Sequence, residues 1–326
     1  VLLASEIKQG EKIMGAKDVR HALVVGAGVM GHSIAQVFAT AGIETALMDL
    51  DDNVLERGVS LIQSNLATLA EYGTISKDEI PSILERIHAS TDLASSAEGV
   101  NFAIEAVAEV PDIKKQVFSQ LEQFCSGDAV IASNTSGLNI FDIADLKKPE
   151  RLVIAHWYAP AHIIPLVEVV PGPETSPDVV SYTATLMEKI GKQPAVMNEF
   201  VTGFIANKIQ FAIALAALEM LEKGVATPEE IDRAAKVSLG IRLPIVGVMQ
   251  TMDFNGLDLV QNILRGLNSK NSLIDERVSQ GNLGVKTSKG IYDYDGRSEE
   301  EVLKKRDLLF LKMVDHLKEI KAFEPV

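Results

Sequence analysis

The chain is nearly without cysteine, poor in aromatics and short of positive charge, and each shortage excludes something. One cysteine among 326 residues, Cys125, allows no internal disulfide and suits a reducing cytoplasm. No Cys-x-x-Cys or His-x-x-x-His spacing occurs among its residues, so nothing suggests a metal. A net charge of −14 leaves no basic face for nucleic acid or an anionic membrane. No long unbroken hydrophobic run is present either. The most apolar stretch, 204–221, is interrupted by Asn207, Lys208, Gln210 and Glu219, and reads as a buried helix rather than a membrane span. Residues 1–16 contain too short an apolar segment for a signal peptide and lack the Arg and Ser of a transit peptide; they read as an N-terminal extension, within which Met14 is a candidate original start. What remains, 47% hydrophobic and 23% charged, is the composition of a globular protein long enough for two domains.

What is present begins with Ala22-Leu23-Val24-Val25, apolar residues suited to a buried strand, running directly into Gly26-Ala27-Gly28-Val29-Met30-Gly31. An amphipathic pattern follows, with Ile34, Ala35, Val37, Phe38 and Ala41, and stops at Gly42. This is the strand–turn–helix setting of a dinucleotide site. The first glycine allows the turn, the second lets backbone approach a pyrophosphate, and the third permits close packing. A second apolar segment, Thr45 to Met48, ends in Asp49, 18 residues after Gly31, where a carboxylate meets an adenosine ribose. Asp51 and Asp52 follow and no cation precedes Arg57, so a 2′-phosphate is disfavoured. The expected cofactor is NAD, not NADP.

Strand and helix patterns then alternate. A helix is expected from about Val54 to Leu69, and the capping box Ser76-Lys77-Asp78-Glu79 opens another reaching about Ile87. Strands are expected at 101–105, 129–132, 152–155 and 166–170, with a helix at about 112–124 and another opening at Ser176-Pro177. Beyond about Thr202 only helices are expected, including one opened by Thr227-Pro228-Glu229-Glu230 and a charged amphipathic one from Glu299 to Lys321. The predicted class is α/β: a Rossmann-type doubly wound sheet over residues 17–200, then an all-α C-terminal domain over 201–326, with the boundary near 199–202.

Functional groups in such a sheet gather at the carboxyl ends of the strands. A dehydrogenase acting on a hydroxyl needs a base for the alcohol proton. Among six histidines, His156 follows a strand, and Glu168 lies in the next one, twelve residues on. A carboxylate returned to the imidazole would fix its tautomer and support its protonated form. His162, in the same loop, is the rival base. Alone, a histidine at a strand end is more often a structural hydrogen-bonding residue.

Six motifs occur in order: Gly26-x-Gly28-x-x-Gly31; Glu105-Ala106-x-x-Glu109; Ser133-Asn134-Thr135-Ser136; His156 with Pro165-Leu166-Val167-Glu168-Val169-Val170; Gly203-Phe204-Ile205-x-Asn207; and Lys286-Thr287-x-x-Gly290-x-Tyr292. Together they resemble the L-3-hydroxyacyl-CoA dehydrogenase family over about residues 20–295. The resemblance implies a homodimer formed through the helical domain, NAD as acceptor, and conversion of an L-3-hydroxyacyl-CoA to its 3-ketoacyl-CoA. His156 would be the base and Glu168 its orienting partner, while Ser136 and Asn207 would bind the reacting oxygen. Gly26, Gly28, Val29, Met30, Gly31, Asp49 and Ala106 would line the cofactor site. Glu109, Lys114, Ser136 and Lys286 would lie on its nicotinamide side.

Two departures concern the substrate. Where the family commonly has Asn two residues after the aromatic that follows its histidine, this chain has Ala159. Family members that take CoA often carry lysines after the second strand, yet no Lys or Arg occurs between Arg57 and Lys77. The 171–177 segment and the stretch around Leu239-Gly240-Ile241-Arg242 look more like relatives acting on free hydroxy acids, such as L-gulonate, carnitine or pyridine-carboxylate dehydrogenases. Arg242 would then anchor a carboxylate bidentately. One branch of the family resembles a lens crystallin, so an NAD-binding structural protein without useful turnover is a further alternative.

Overall fold

The computed structural model describes residues 19–324, and the expected extension at 1–16 lies outside them. The chain divides between Phe211 and Ala212 into two compact units.

The first unit is built on one eight-stranded sheet. Its central strands are β1 (His21–Val25), β4 (Phe102–Glu105), β5 (Val130–Ser133) and β6 (Leu152–Trp157), and every residue of the last three is buried. Burial on both faces explains why they read as continuous apolar runs rather than alternating ones. Outward from β1 lie β2 (Glu44–Met48) and β3 (Ile87–Ser90); outward from β6 lie β7 (Leu166–Pro171) and β8 (Gln193–Val196). The order is β3-β2-β1-β4-β5-β6-β7-β8. Pairing is parallel as far as β6, then β7 turns back antiparallel to β6 and β8 runs parallel to β7. The helices are α1 (Gly31–Thr40), α2 (Asp52–Tyr72), α3 (Ile80–Glu85), α4 (Leu93–Ser96), α5 (Pro111–Phe124) and α6 (Pro177–Lys189). Two apolar layers enclose the sheet. One centres on Phe38, Phe102 and Trp157, the other on Phe118, Leu121 and Phe204.

Three details differ from the sequence expectation. The capping box at Ser76 is present, with Ser76 Oγ and the Glu79 carboxylate each bonded to the other's backbone, but the helix it opens stops at Glu85. Ile87, expected to end that helix, starts β3 instead. Neither β3 nor β8 is legible as a strand, because each is a sheet edge with mixed burial. Pro194 sits in β8, and an edge strand is where a missing N–H is tolerated. Finally, β6 runs past Ala155, so His156 lies inside the strand rather than beyond its end.

Among the described residues of the second unit the elements are helices, with isolated bridges at Gly284–Lys289 and Lys289–Asp293, beginning within α7 (Ala206–Glu222), inside which the division falls. Next come α8 (Pro228–Ala234), capped by Thr227 as its sequence predicts, and α9 (Gly240–Asn255), which breaks at Gly247. They are followed by α10 (Leu257–Gly266), α11 (Ser272–Ser279) and α12 (Glu299–Glu319). The expected class, a Rossmann-type sheet and a helical C-terminal domain, is therefore the observed one. Among the described residues no helix is long and apolar enough to cross a membrane.

Candidate active site

The glycine turn leaves β1 beside β4, at the point where strand order reverses and a ligand crevice opens. Gly26 has φ +102°, and a Cβ there would lie 2.7 Å from the Ala106 carbonyl oxygen. At Gly31 a Cβ would stand 1.6 Å from the Gly26 carbonyl oxygen, so neither position accepts a side chain. Gly28 faces open space. The N-terminus of α1 has no side-chain cap and no acid in its first turn, which leaves amides available to an anion. Met30 is its N-cap residue, and Val29 stands exposed on the turn. Asp49 is fixed at the tip of β2 by the Ala27 amide on Oδ2 at 2.8 Å and the Asp51 amide on Oδ1 at 3.2 Å. A cleft of about 290 Å³ joins Gly26, Gly28, Asp49, Leu50, Ala106 and Ile113. An open glycine, an uncapped helix and a carboxylate at the second strand tip fit a dinucleotide without a 2′-phosphate.

Beyond β4 and β5, a buried network fixes the loop that carries Ser136. Glu105, fully buried, accepts from Lys114 Nζ at 2.7 Å, from Ser133 Oγ at 2.6 Å and from the Val107 amide at 2.8 Å. Lys114 Nζ also reaches Glu109 Oε2 at 3.0 Å, and this lysine is only 1% exposed. Glu109 Oε1 gathers Thr135 Oγ1 at 2.5 Å and the amides of Ser136 and Gly137 at 3.0 and 3.2 Å. Burial raises the Glu109 pKa, but Thr135 and Lys114 outweigh it and hold the carboxyl below its ordinary value. The result is a rigid loop with an exposed Ser136 at its surface.

The predicted pair is brought together by sheet register. His156 on β6 stands directly opposite Glu168 on β7, and cross-strand partners project to the same face. His156 Nδ1 lies 2.9 Å from Glu168 Oε2, with the side chains 3% and 0% exposed. Glu168 Oε1 accepts the amides of Ile205 and Ala206, each at 2.9 Å, where the chain enters α7. Tyr158 Oη donates to Oε2 at 3.2 Å. Burial alone would raise the Glu168 pKa; the donors from His156, Ala206 and Ile205 prevail and keep it below the ordinary range. An ionised Glu168 accepts a hydrogen bond from Nδ1–H, which leaves Nε2 as the free, basic nitrogen. Tyr158 and Phe204 hold the ring, at centroid distances of 4.6 and 5.0 Å. Asn134 Oδ1 accepts the Trp157 amide at 2.9 Å and ties β6 to the loop after β5. Asn207 sits half-buried in the first turn of α7, next to the amides that bind Glu168.

His162 has a different setting. Its Nδ1 lies 2.8 Å from Ser33 Oγ, its amide donates to the same oxygen, and no carboxylate meets its ring among the described residues. Burial, His32 and Lys192 lower its pKa. Lys192, which burial brings down to about 8, binds the carbonyls of Ala161 and Ile164. The rival base is a loop anchor. Arg242 and Lys286 belong to the second unit and are engaged there, Arg242 on Ser238 Oγ at 2.9 Å and Lys286 on both oxygens of Asp258 at 2.6 and 2.7 Å. Sequence reasoning assigned no place to the Tyr158 hydroxyl, to Glu105 as the hub of the Ser136 loop, or to Phe204. Only tertiary contact distinguishes them from ordinary core residues.

A crevice at the switch point that fits a dinucleotide is what a nicotinamide-dependent oxidoreductase presents. The comparisons with known proteins agree. The chain belongs to the 3-hydroxyacyl-CoA dehydrogenase family: residues 21–200 match its NAD binding domain and residues 203–294 its C-terminal domain. The family's enzymes use NAD and act on a CH–OH group. A probable 3-hydroxybutyryl-CoA dehydrogenase of Bacillus subtilis is 34% identical over 86% of this chain and 99% of its own. The 5-formyl-3-hydroxy-2-methylpyridine 4-carboxylate 5-dehydrogenase of Mesorhizobium japonicum is 29% identical over 85% of this chain and 91% of its own. Among solved structures, a 3-hydroxyacyl-CoA dehydrogenase from Archaeoglobus fulgidus superposes with a TM-score of 0.76 at 27% identity, covering 92% of this chain and 99% of that one.

Proposed function

We propose that this chain oxidises an L-3-hydroxyacyl-CoA to the 3-ketoacyl-CoA, or runs the reverse reaction, with His156 as acid/base. The observation that carries this is the buried His156–Glu168 contact of 2.9 Å, which reserves Nδ1 for the carboxylate and leaves Nε2 for substrate. NAD, when bound, supplies the hydride acceptor. His156 Nε2 takes the hydroxyl proton, and ionised Glu168 supports the imidazolium that results. Ser136 and Asn207 donate to the oxygen as it becomes a carbonyl, which holds the carbinol carbon in place. On the cofactor side, Gly26, Gly28, Val29, Met30 and Gly31 admit the pyrophosphate. Asp49 accepts from the adenosine ribose, and Ala106 and Glu109 border the nicotinamide half. Lys114 acts there through Glu109.

A second reading is supported by a specific feature: α2 carries Arg57 as its one cation, with Asp52, Glu56 and Glu71 beside it, a poor surface for CoA phosphates. On that reading the substrate is a free hydroxy acid anchored by Arg242. A purely structural role as an NAD-binding protein would not need the complete set of His156, Glu168, Ser136 and Asn207. We take the functional boundary at 199–202, a reading supported by family matches that end at residue 200 and resume at 203. The protein is proposed to be a homodimer, because α7 has no buried residue although Phe211, Leu215 and Leu218 are among its side chains. The one thiol, Cys125, is free, buried and raised by that burial to about 11, which suits a reducing cytoplasm.

The deciding experiment is a panel of L-3-hydroxyacyl-CoA thioesters and free hydroxy acids read by NADH absorbance. Turnover that requires the CoA portion supports the first reading. Equal activity on a free acid replaces it with the second, and no turnover on any member leaves the structural role. Sedimentation at micromolar protein tests the dimer.

A further inference from the structure

Tyr158 enters the site twice. Its hydroxyl donates to Glu168 Oε2, the same oxygen that His156 uses. The amides of Ile205 and Ala206 meet the other oxygen of that carboxylate. Helix-opening N–H groups need partners outside the helix, and here Glu168 supplies them. Tyr158 also packs edge-on against the imidazole at 4.6 Å.

We propose that the Tyr158 hydroxyl is a positioning group for the His156–Glu168 pair. It fills the second donor place on Glu168 Oε2 and limits how strongly that carboxylate supports a proton on the imidazole. A carboxylate oxygen that already receives one hydrogen bond has less charge density to give to a second donor. The imidazolium formed during oxidation is therefore supported less than it would be by Glu168 alone, which keeps Nε2 free at lower pH and eases proton return afterwards. The proposal rests on the reading of His156 as the base.

The groups facing His156 are few. From β7 comes Glu168, and from the turn after β6 comes Tyr158. The segment entering α7 presents Phe204 and backbone amides, and Lys208 beyond them is exposed. From β5 the nearest polar residues are Ser133, bonded to Glu105, and Asn134, bonded to the Trp157 amide. Glu105, Glu109 and Lys114 pair with one another. Among the described residues, Glu168 is the one charged group hydrogen-bonded to His156.

The test is Tyr158→Phe, which keeps the ring and removes only the oxygen. In unliganded protein labelled with [13Cε1]histidine, the His156 signal is assigned by its loss in His156→Gln, and its titration is followed in both backgrounds. Its midpoint is expected to move up by about half a pH unit in the Phe variant. The acid limb of kcat/KM for oxidation of L-3-hydroxybutyryl-CoA with NAD should move the same way. A packing defect would lower the melting temperature and activity at every pH without moving the midpoint. A midpoint that stays or falls overturns the proposal. Turnover surviving in His156→Gln would instead overturn the base assignment, and the two failures are told apart by which variant shows them.

Discussion

Glu168 and Asp253 are buried carboxylates in different units, and they are satisfied alike except for one bond. Glu168 accepts two consecutive amides, Ile205 and Ala206, and the hydroxyl of Tyr158. Asp253, on α9 and 1% exposed, accepts two consecutive amides, Ile291 and Tyr292, at 2.8 and 2.9 Å, and the hydroxyl of Tyr294 at 3.1 Å. In both cases burial and the neighbouring carboxylate push the tyrosine pKa up. What differs is the remaining acceptor capacity. On Glu168 it meets an imidazole; Asp253 has no imidazole partner among the described residues, and it is crowded by glycines, a Cβ at Gly290 coming within 2.2 Å of its Oδ1 and one at Gly284 within 2.2 Å of its backbone oxygen. On the proposed reading, one constellation supports the acid/base of the reaction, and the other supports a loop. A buried carboxylate with full hydrogen bonding is therefore no sign of catalysis by itself; the partner that titrates is.

The largest expected effect falls on the titrating partner. His156→Ala should lower kcat by about 10³-fold or more while the dissociation constant for NAD, read by fluorescence titration, changes less than about threefold. Glu168→Gln should follow, with a loss in kcat/KM on the order of 10²-fold, since a neutral amide neither fixes the imidazole tautomer nor supports its protonated form. Asp253→Asn is the matched change in the other unit. It should cost about 1–3 kcal/mol in urea unfolding and leave the acid limb of the pH–rate profile where it was. A shifted limb in the Asn variant would erase the distinction drawn between the two carboxylates.

Glycines sharpen the contrast. Gly290→Ala puts a methyl 2.2 Å from Asp253 Oδ1 and should destabilise the second unit by about 2–3 kcal/mol, visible as a lower melting temperature. Gly28→Ala meets no protein atom within 4 Å and should leave melting unchanged, yet weaken NAD binding at least tenfold. If both behaved alike, the assignment of Gly28 to the cofactor would fall.

The smallest effect is one of pH. The Glu168 pKa is depressed in the folded chain, so its contribution to stability is complete above the unfolded carboxyl value near about 4.3 and is lost as pH falls through the lower folded value. Unfolding free energies measured between about pH 3 and pH 6 should drop more steeply in the wild type than in Glu168→Gln.

Legibility followed burial. Strands β1, β4, β5 and β6 were readable because enclosure by helices demands continuous apolar runs. The edges β3 and β8 were not, since a half-covered strand such as Ile87-His88-Ala89-Ser90 carries no such signature. The capping box at Ser76 and the Gly26 turn were local and came through intact. Lys114 shows the limit from the other side. Expected on the nicotinamide side of the cofactor, it lies buried between Glu105 and Glu109, a position no periodicity encodes.

By itself the sequence determined the order of strands and helices, the glycine turn with its acidic strand tip, and the set of residue types from which a dehydrogenase site is made. These depend on interactions a few residues apart, so spacing records them. The tertiary structure alone decided that His156 and Glu168 stand opposite one another, because register belongs to the antiparallel pairing of β6 with β7. It also decided that Tyr158 shares the Glu168 oxygen and that His162 finds Ser33 instead of an acid. Those outcomes join residues 10 and 129 positions apart, and only packing brings such partners within hydrogen-bond reach.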